Sequence, residues 1–232
     1  MKTRKAELSG MAVLGLALFA FSLSAARADL ITISATAPVP DADDISMLNA
    51  TGQYDIGGDQ GHIWFNRPVQ GQTFTTGSNA GGYLLNAVTL QNRSNNVATS
   101  PTFTLRVGTV SGTSFAGLAS ATGVAPAYVG LDYITFNLDA AIPLLANTQY
   151  GFDWGSNGSG FVTANNDDSN YLGGSAYSSG AAGVGDATII PRSGTGAGTG
   201  DRIFHLDIVA IPEPSSAALC LLGLALLVRR RR

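Results

Sequence analysis

The sequence predicts an all-β fold, an antiparallel β-sandwich of jelly-roll type, from three observations. Five segments alternate apolar and polar residues with a period of two, which places one set of side chains on each face of a strand. The long middle of the chain is rich in Gly, Ser, Thr, Asn and Ala and poor in Lys, Glu and Met, a composition that suits short strands and turns better than long helices. No helical period separates the alternating segments, so consecutive strands pair as antiparallel neighbours. Two facing half-buried sheets make a jelly roll the first expectation, an immunoglobulin-like sandwich the second, and a closed barrel the third.

Taken in order, residues 1–28 form an export signal. Lys2, Arg4 and Lys5 give a basic start, residues 11–23 an apolar run, and Ala26 and Ala28 the small residues of a cleavage site that leaves Asp29 first. The apolar run is shorter than the ~20 residues needed to span a bilayer, which favours a cleaved signal helix over an anchor.

Residues 29–210 are the exported domain, a length that suits one sizeable core. Weak strand candidates lie at 30–36, 62–65, 72–76, 116–122 and 171–177. The clear alternations are Val88 and Leu90; Phe103, Leu105 and Val107; Ile134, Phe136 and Leu138; Tyr150, Phe152 and Trp154; and Phe204, Leu206 and Ile208. Trp154, in phase with Tyr150 and Phe152, is expected to be buried. Residues 157–200 read as long loops, with near-linker composition at 193–200, leading into a last strand at 203–209.

The domain carries five arginines, no lysine, fourteen aspartates and no glutamate. That surplus of negative charge repels nucleic acid and anionic lipid and is accounted for by solubility. The single cysteine, Cys220, lies beyond the domain, so no disulfide is expected within it.

Residues 211–232 form a three-part tail. Pro212-Glu213-Pro214 ends the last strand, since proline cannot donate a ladder hydrogen bond. Residues 216–228 are almost wholly apolar and span roughly 20 Å as a helix, short of the ~30 Å hydrocarbon core. Arg229, Arg230, Arg231 and Arg232 follow as a membrane stop that stays on the cytoplasmic side. The expected intermediate has its domain outside, a transmembrane helix across and arginines inside.

In this order of parts the tail resembles the PEP-CTERM sorting signal. The resemblance implies recognition by an exosortase, a membrane protease of exopolysaccharide-producing bacteria, with cleavage near Pro212-Glu213-Pro214. It further implies transfer to the cell surface or biofilm matrix. Ile211 stands where valine is commonest. The segment 71–77, the strand at Leu90, residues 133–138 and residues 145–152 are similar to "choice-of-anchor" exported domains, a looser likeness over residues 45–210 that implies no activity.

Within the domain no hydrolase or phosphate-binding motif appears, and no catalytic residue is expected. Calcium is the one candidate cofactor, because Asp167, Asp168 and Asn170 lie in a run dense in oxygen ligands, as does Asp41-Ala42-Asp43-Asp44. Such runs are also ordinary turn chemistry. Tyr171 and Tyr177, flanking Gly173-Gly174, are candidate exposed rings for glycan contact. His205 falls on the polar side of its strand and is expected in solvent, whereas His62 is expected to be structural. The expected function is therefore that of a non-enzymatic cell-surface or matrix protein. Its partners are signal peptidase, exosortase, the inner membrane before processing and exopolysaccharide, not nucleic acid. The alternative is a carbohydrate-binding module on the same anchor, followed by a secreted hydrolase.

Overall fold

The computed structural model describes residues 31–48, 53–54, 69–92, 102–157, 165–166, 171–179, 187–192 and 201–213. Every regular element among them is a strand: β1 (Ile31–Ser34), β2 (Ile45–Met47), β3 (Gln53–Tyr54), β4 (Val69–Thr75), β5 (Tyr83–Gln91), β6 (Thr102–Ser111), β7 (Ser114–Val124), β8 (Tyr133–Leu144), β9 (Gln149–Asn157), β10 (Asn165–Asn166), β11 (Ala176–Ser179), β12 (Ala187–Arg192), β13 (Asp201–Arg202) and β14 (Phe204–Ala210). The expected signal helix and transmembrane helix lie outside these residues. Among the described residues no helix is long and apolar enough to cross a membrane.

All five clear alternations became strands, namely β5, β6, β8, β9 and β14. The weaker segments at 30–36, 72–76 and 116–122 correspond to β1, β4 and β7, while the segment at 62–65 lies outside the described residues. Of 171–177 only the end is strand. Reading 157–200 as loops needs correction, because β10, β11 and β12 arise from it. These strands carry no apolar alternation of their own and are held by register with neighbours distant in sequence, such as Tyr177 opposite Gly71.

Two antiparallel sheets share the main core. One is open, in the order β1-β8-β5-β14-β2, and the other closes on itself through β11-β12-β7-β6-β9-β4. A small third sheet is ordered β13-β10-β3. The open sheet packs on one face of the closed one. Phe152 on β9 lies 5.4 Å from Phe204 on β14, and Phe103 on β6 lies 5.8 Å from Phe136 on β8, ring centre to ring centre. Phe74, Leu105, Val107, Tyr150, Trp154, Leu85, Leu90 and Leu206 belong to the same buried cluster. Burial of Trp154 thus follows the alternation.

The same alternation sends the other half of β6 and β9 inward to the ring. There Val110, Phe115, Tyr177 and Ile189 make a second, smaller core. Two sides of β6 and β9 are therefore buried, where the sandwich expectation buried one. The β6–β7 hairpin of this ring turns at Gly112, whose φ of 59° favours glycine.

Candidate functional site

Three polar constellations stand out, and the first lies inside the ring. Arg106 on β6 and Asp153 on β9 face each other in register. Arg106 Nε donates to Asp153 Oδ1 and Nη2 to Oδ2, both at 2.7 Å. Tyr177 Oη donates to Asp153 Oδ2 at 3.2 Å, and the guanidinium lies 5.1 Å from the centre of the Phe115 ring. Burial pushes the Asp153 carboxyl up, opposed by the Arg106 hydrogen bond and charge. Burial and the Asp153 charge hold the Tyr177 phenol well above its ordinary value. All three side chains are buried, with Tyr177 and Asp153 at 0% exposure. Glycines make this fit: a Cβ on Gly71 would lie 2.3 Å from Tyr177 Cζ, and one on Gly108 would lie 2.7 Å from Phe115 Cζ. The arrangement offers a substrate no open face. It is an ion pair packed as core.

Tyr177 therefore cannot serve as the exposed glycan-stacking ring that its place beside Gly173-Gly174 suggested. Ring closure puts it inside, with its hydroxyl held by Asp153. Tyr171 is half-buried, in a T-shaped contact with Phe204 at 5.1 Å, and its amide donates to Asp201 Oδ2. Burial pushes its phenol up to about 12. Asp201 also accepts from Gln72 Nε2 at 2.9 Å, and Gln72 Oε1 accepts from the Arg202 amide, tying β13 to β4.

The second constellation is on the edge of β14. Beyond its short pairing with β2, the strand meets carboxylates in place of a neighbour's carbonyls. Ile208 N donates to Asp44 Oδ1 at 3.0 Å and Ala210 N to Asp43 Oδ2 at 3.1 Å. Asp44 Oδ2 accepts from the Asp41 amide at 2.7 Å and lies 3.6 Å from His205 Nε2. His205 is 6% exposed, so its expected place in solvent is corrected. The polar face of β14 is covered by the 41–44 turn, which its periodicity could not show. Of the aspartates that suggested calcium here, Asp43 and Asp44 are engaged with backbone amides. Among the described residues no group of three or more His, Cys, Asp or Glu is placed to hold a metal ion. Asp167, Asp168, Asn170 and His62 lie outside the described residues.

The third constellation is the seam where the tail leaves the domain. Strand β14 ends at Ala210, and Ile211 N donates to Gly82 O at 2.9 Å. Asn79 Nδ2 donates both to Ile211 O at 2.9 Å and to Gly82 O at 2.6 Å. Glu213 Oε1 accepts from the Ala80 amide at 3.1 Å. Pro212 and Glu213 are exposed and carry no regular structure. Pro214, the apolar run and Arg229, Arg230, Arg231 and Arg232 lie outside the described residues, as do Ala26, Ala28 and Asp29. Sequence reasoning singled out Pro212 and Glu213 but missed Asn79. Nothing local to Asn79 marks it, because its partner lies 132 residues away.

Residues 210–232 match the family model described as the PEP-CTERM protein-sorting motif. No curated protein and no solved structure matches the chain. The motif indicates C-terminal sorting through an exosortase, by way of an exported, membrane-anchored intermediate.

Proposed function

We propose that this is a non-catalytic exported protein whose tail is cut by an exosortase near Pro212-Glu213-Pro214, leaving the domain on the cell surface or in an exopolysaccharide matrix. The observation that carries the reading is the sorting motif at residues 210–232, which begins at the end of the last core strand. On this reading residues 45–210, which resemble choice-of-anchor domains in sequence, are the cargo of an exchangeable tail. One further point supports it. The strongest titratable cluster described, Arg106, Asp153 and Tyr177, is enclosed and acts in packing. On this reading the frame is a jelly-roll-like sandwich with one sheet closed, and calcium, if bound, belongs to the run at Asp167, Asp168 and Asn170.

The test is expression of the full chain in an exosortase-bearing host, followed by fractionation and mass spectrometry of the mature C-terminus. The expected product is surface-located and ends near Pro214. Surface protein that retains Arg229, Arg230, Arg231 and Arg232 would sink the reading.

A further inference from the structure

We propose that the turn at residues 79–82 is a docking cradle for the chain's own sorting motif, tethering Ile211 and Glu213 to the domain and so setting the rate at which the tail is processed. The proposal rests on the sorting reading above and adds a control built into the domain.

The cradle is fitted to the tail at several atoms. Gly82 N donates to Asn79 O at 2.9 Å, closing a four-residue turn with Ala80 in its second position. The Asn79 amide donates to Tyr83 Oη at 3.1 Å, anchoring that turn to the start of β5. Gly82 sits at φ 78°, where glycine is favoured. A Cβ on Gly81 would lie 2.4 Å from Ile211 O, so the tail approaches as closely as it does only because residue 81 has no side chain.

The consequence is that Ile211 is bonded on both sides, through its own amide to Gly82 and through its carbonyl to Asn79. Glu213, two residues on, uses Oε1 to hold the Ala80 amide. Glu213 is the one ionisable residue of Pro212-Glu213-Pro214 and thus its main polar recognition feature. A protein reading that carboxylate finds one of its oxygens held by Ala80 and the backbone pinned two residues before it. Between pinned Ile211 and the apolar run at residue 216 lie four residues, so the reach from one to the other is at most about 18 Å of extended chain. Little slack remains for a membrane protease to take up the segment while Ile211 and Glu213 stay docked. Release of the cradle contacts is then a step before processing, and weakening them speeds it.

Ala80→Pro is the sharpest variant. It removes the donor that Glu213 has among the described residues and places proline where a β-turn favours it. Asn79→Ala is the second, removing the bond to Ile211 O. Each is expressed as the full chain in an exosortase-bearing host and followed by pulse-chase of tail removal. Hydrogen exchange on the purified full chain reports docking, with β6 amides as the reference for global folding. We expect slow exchange at the Ala80 amide in the parent chain, faster exchange there in Asn79→Ala, and unchanged β6 amides. Processing should rise about fivefold in Ala80→Pro, the order set by losing one hydrogen bond, and at least as much in Asn79→Ala, which loses two. An Ala80 amide that exchanges freely in the parent chain overturns the proposal. So does processing at or below the parental rate in Ala80→Pro. A parent chain that is never processed sinks the sorting reading itself, whereas a processed parent with indifferent variants sinks only the cradle.

Discussion

Arg106 and Asp153 meet side by side on β6 and β9, joined by two hydrogen bonds of 2.7 Å, with both side chains nearly or wholly out of solvent. Two charges enclosed this way stabilise the fold only as a pair. Losing one leaves the other desolvated and uncompensated. We expect Asp153→Ala to cost about 3–5 kcal/mol in urea unfolding, and the double replacement Arg106→Met with Asp153→Leu to be more stable than either single change. A double variant no better than the singles would show that the pair contributes through more than its mutual attraction.

Crowding around Tyr177 yields a second expectation. A Cβ on Gly71 meets Tyr177 Cζ at 2.3 Å and Phe152 O at 2.5 Å, and the backbone oxygen has no room to give. Gly71→Ala should cost about 3 kcal/mol through overpacking. Gly112 is the control: a Cβ there meets nothing within 4 Å, but its φ is 59°. Gly112→Ala should cost about 1 kcal/mol and Gly112→Asn less, since asparagine tolerates that conformation. Thermal melts of the three variants decide the order.

Alkaline pH should unfold the domain through its tyrosines. Burial holds the Tyr177 phenol well above 10.0, Tyr133 above it in the same direction, and Tyr171 at about 12. These groups keep their protons in the folded state and lose them at lower pH when unfolded. Their contribution to stability is full below pH 10 and falls as pH climbs through the folded values. Tyrosinate absorbance from these three residues should therefore rise only above pH 10, together with loss of near-ultraviolet circular dichroism. A single titration near pH 10 with structure intact would contradict this.

The capped edge of β14 is testable residue by residue. Ile208 is buried and its amide has Asp44 as acceptor, whereas Ala210 is half-buried and uses Asp43. Asp44→Ala should cost about 1–3 kcal/mol, because it strands a buried donor. Asp43→Ala should cost under about 1 kcal/mol, since water replaces the lost acceptor. Amide exchange at Ile208 should quicken in the first variant and stay unchanged in the second.

Much of this architecture was legible in residues alone. The alternations of β5, β6, β8, β9 and β14 reflect a backbone that sends successive side chains to opposite faces, so the main core could be named in advance, Trp154 included. The three-part tail was equally legible, because proline, apolar length and terminal charge act locally and need no partner. Sequence by itself therefore determined the alternating strands, one face of each, and the sorting signal, but not β2, β3, β10, β12 or β13. Only the tertiary structure decided what the opposite faces meet. Period-two alternation separates two sides of a strand without saying which side water reaches. Closure of the second sheet enclosed Arg106, Asp153 and Tyr177, the 41–44 turn covered His205, and the turn at Asn79 came to rest on Ile211 and Glu213. Each of these contacts joins residues far apart in the chain. Their energy exists only once loop closure has brought the partners together, so no local signal records them.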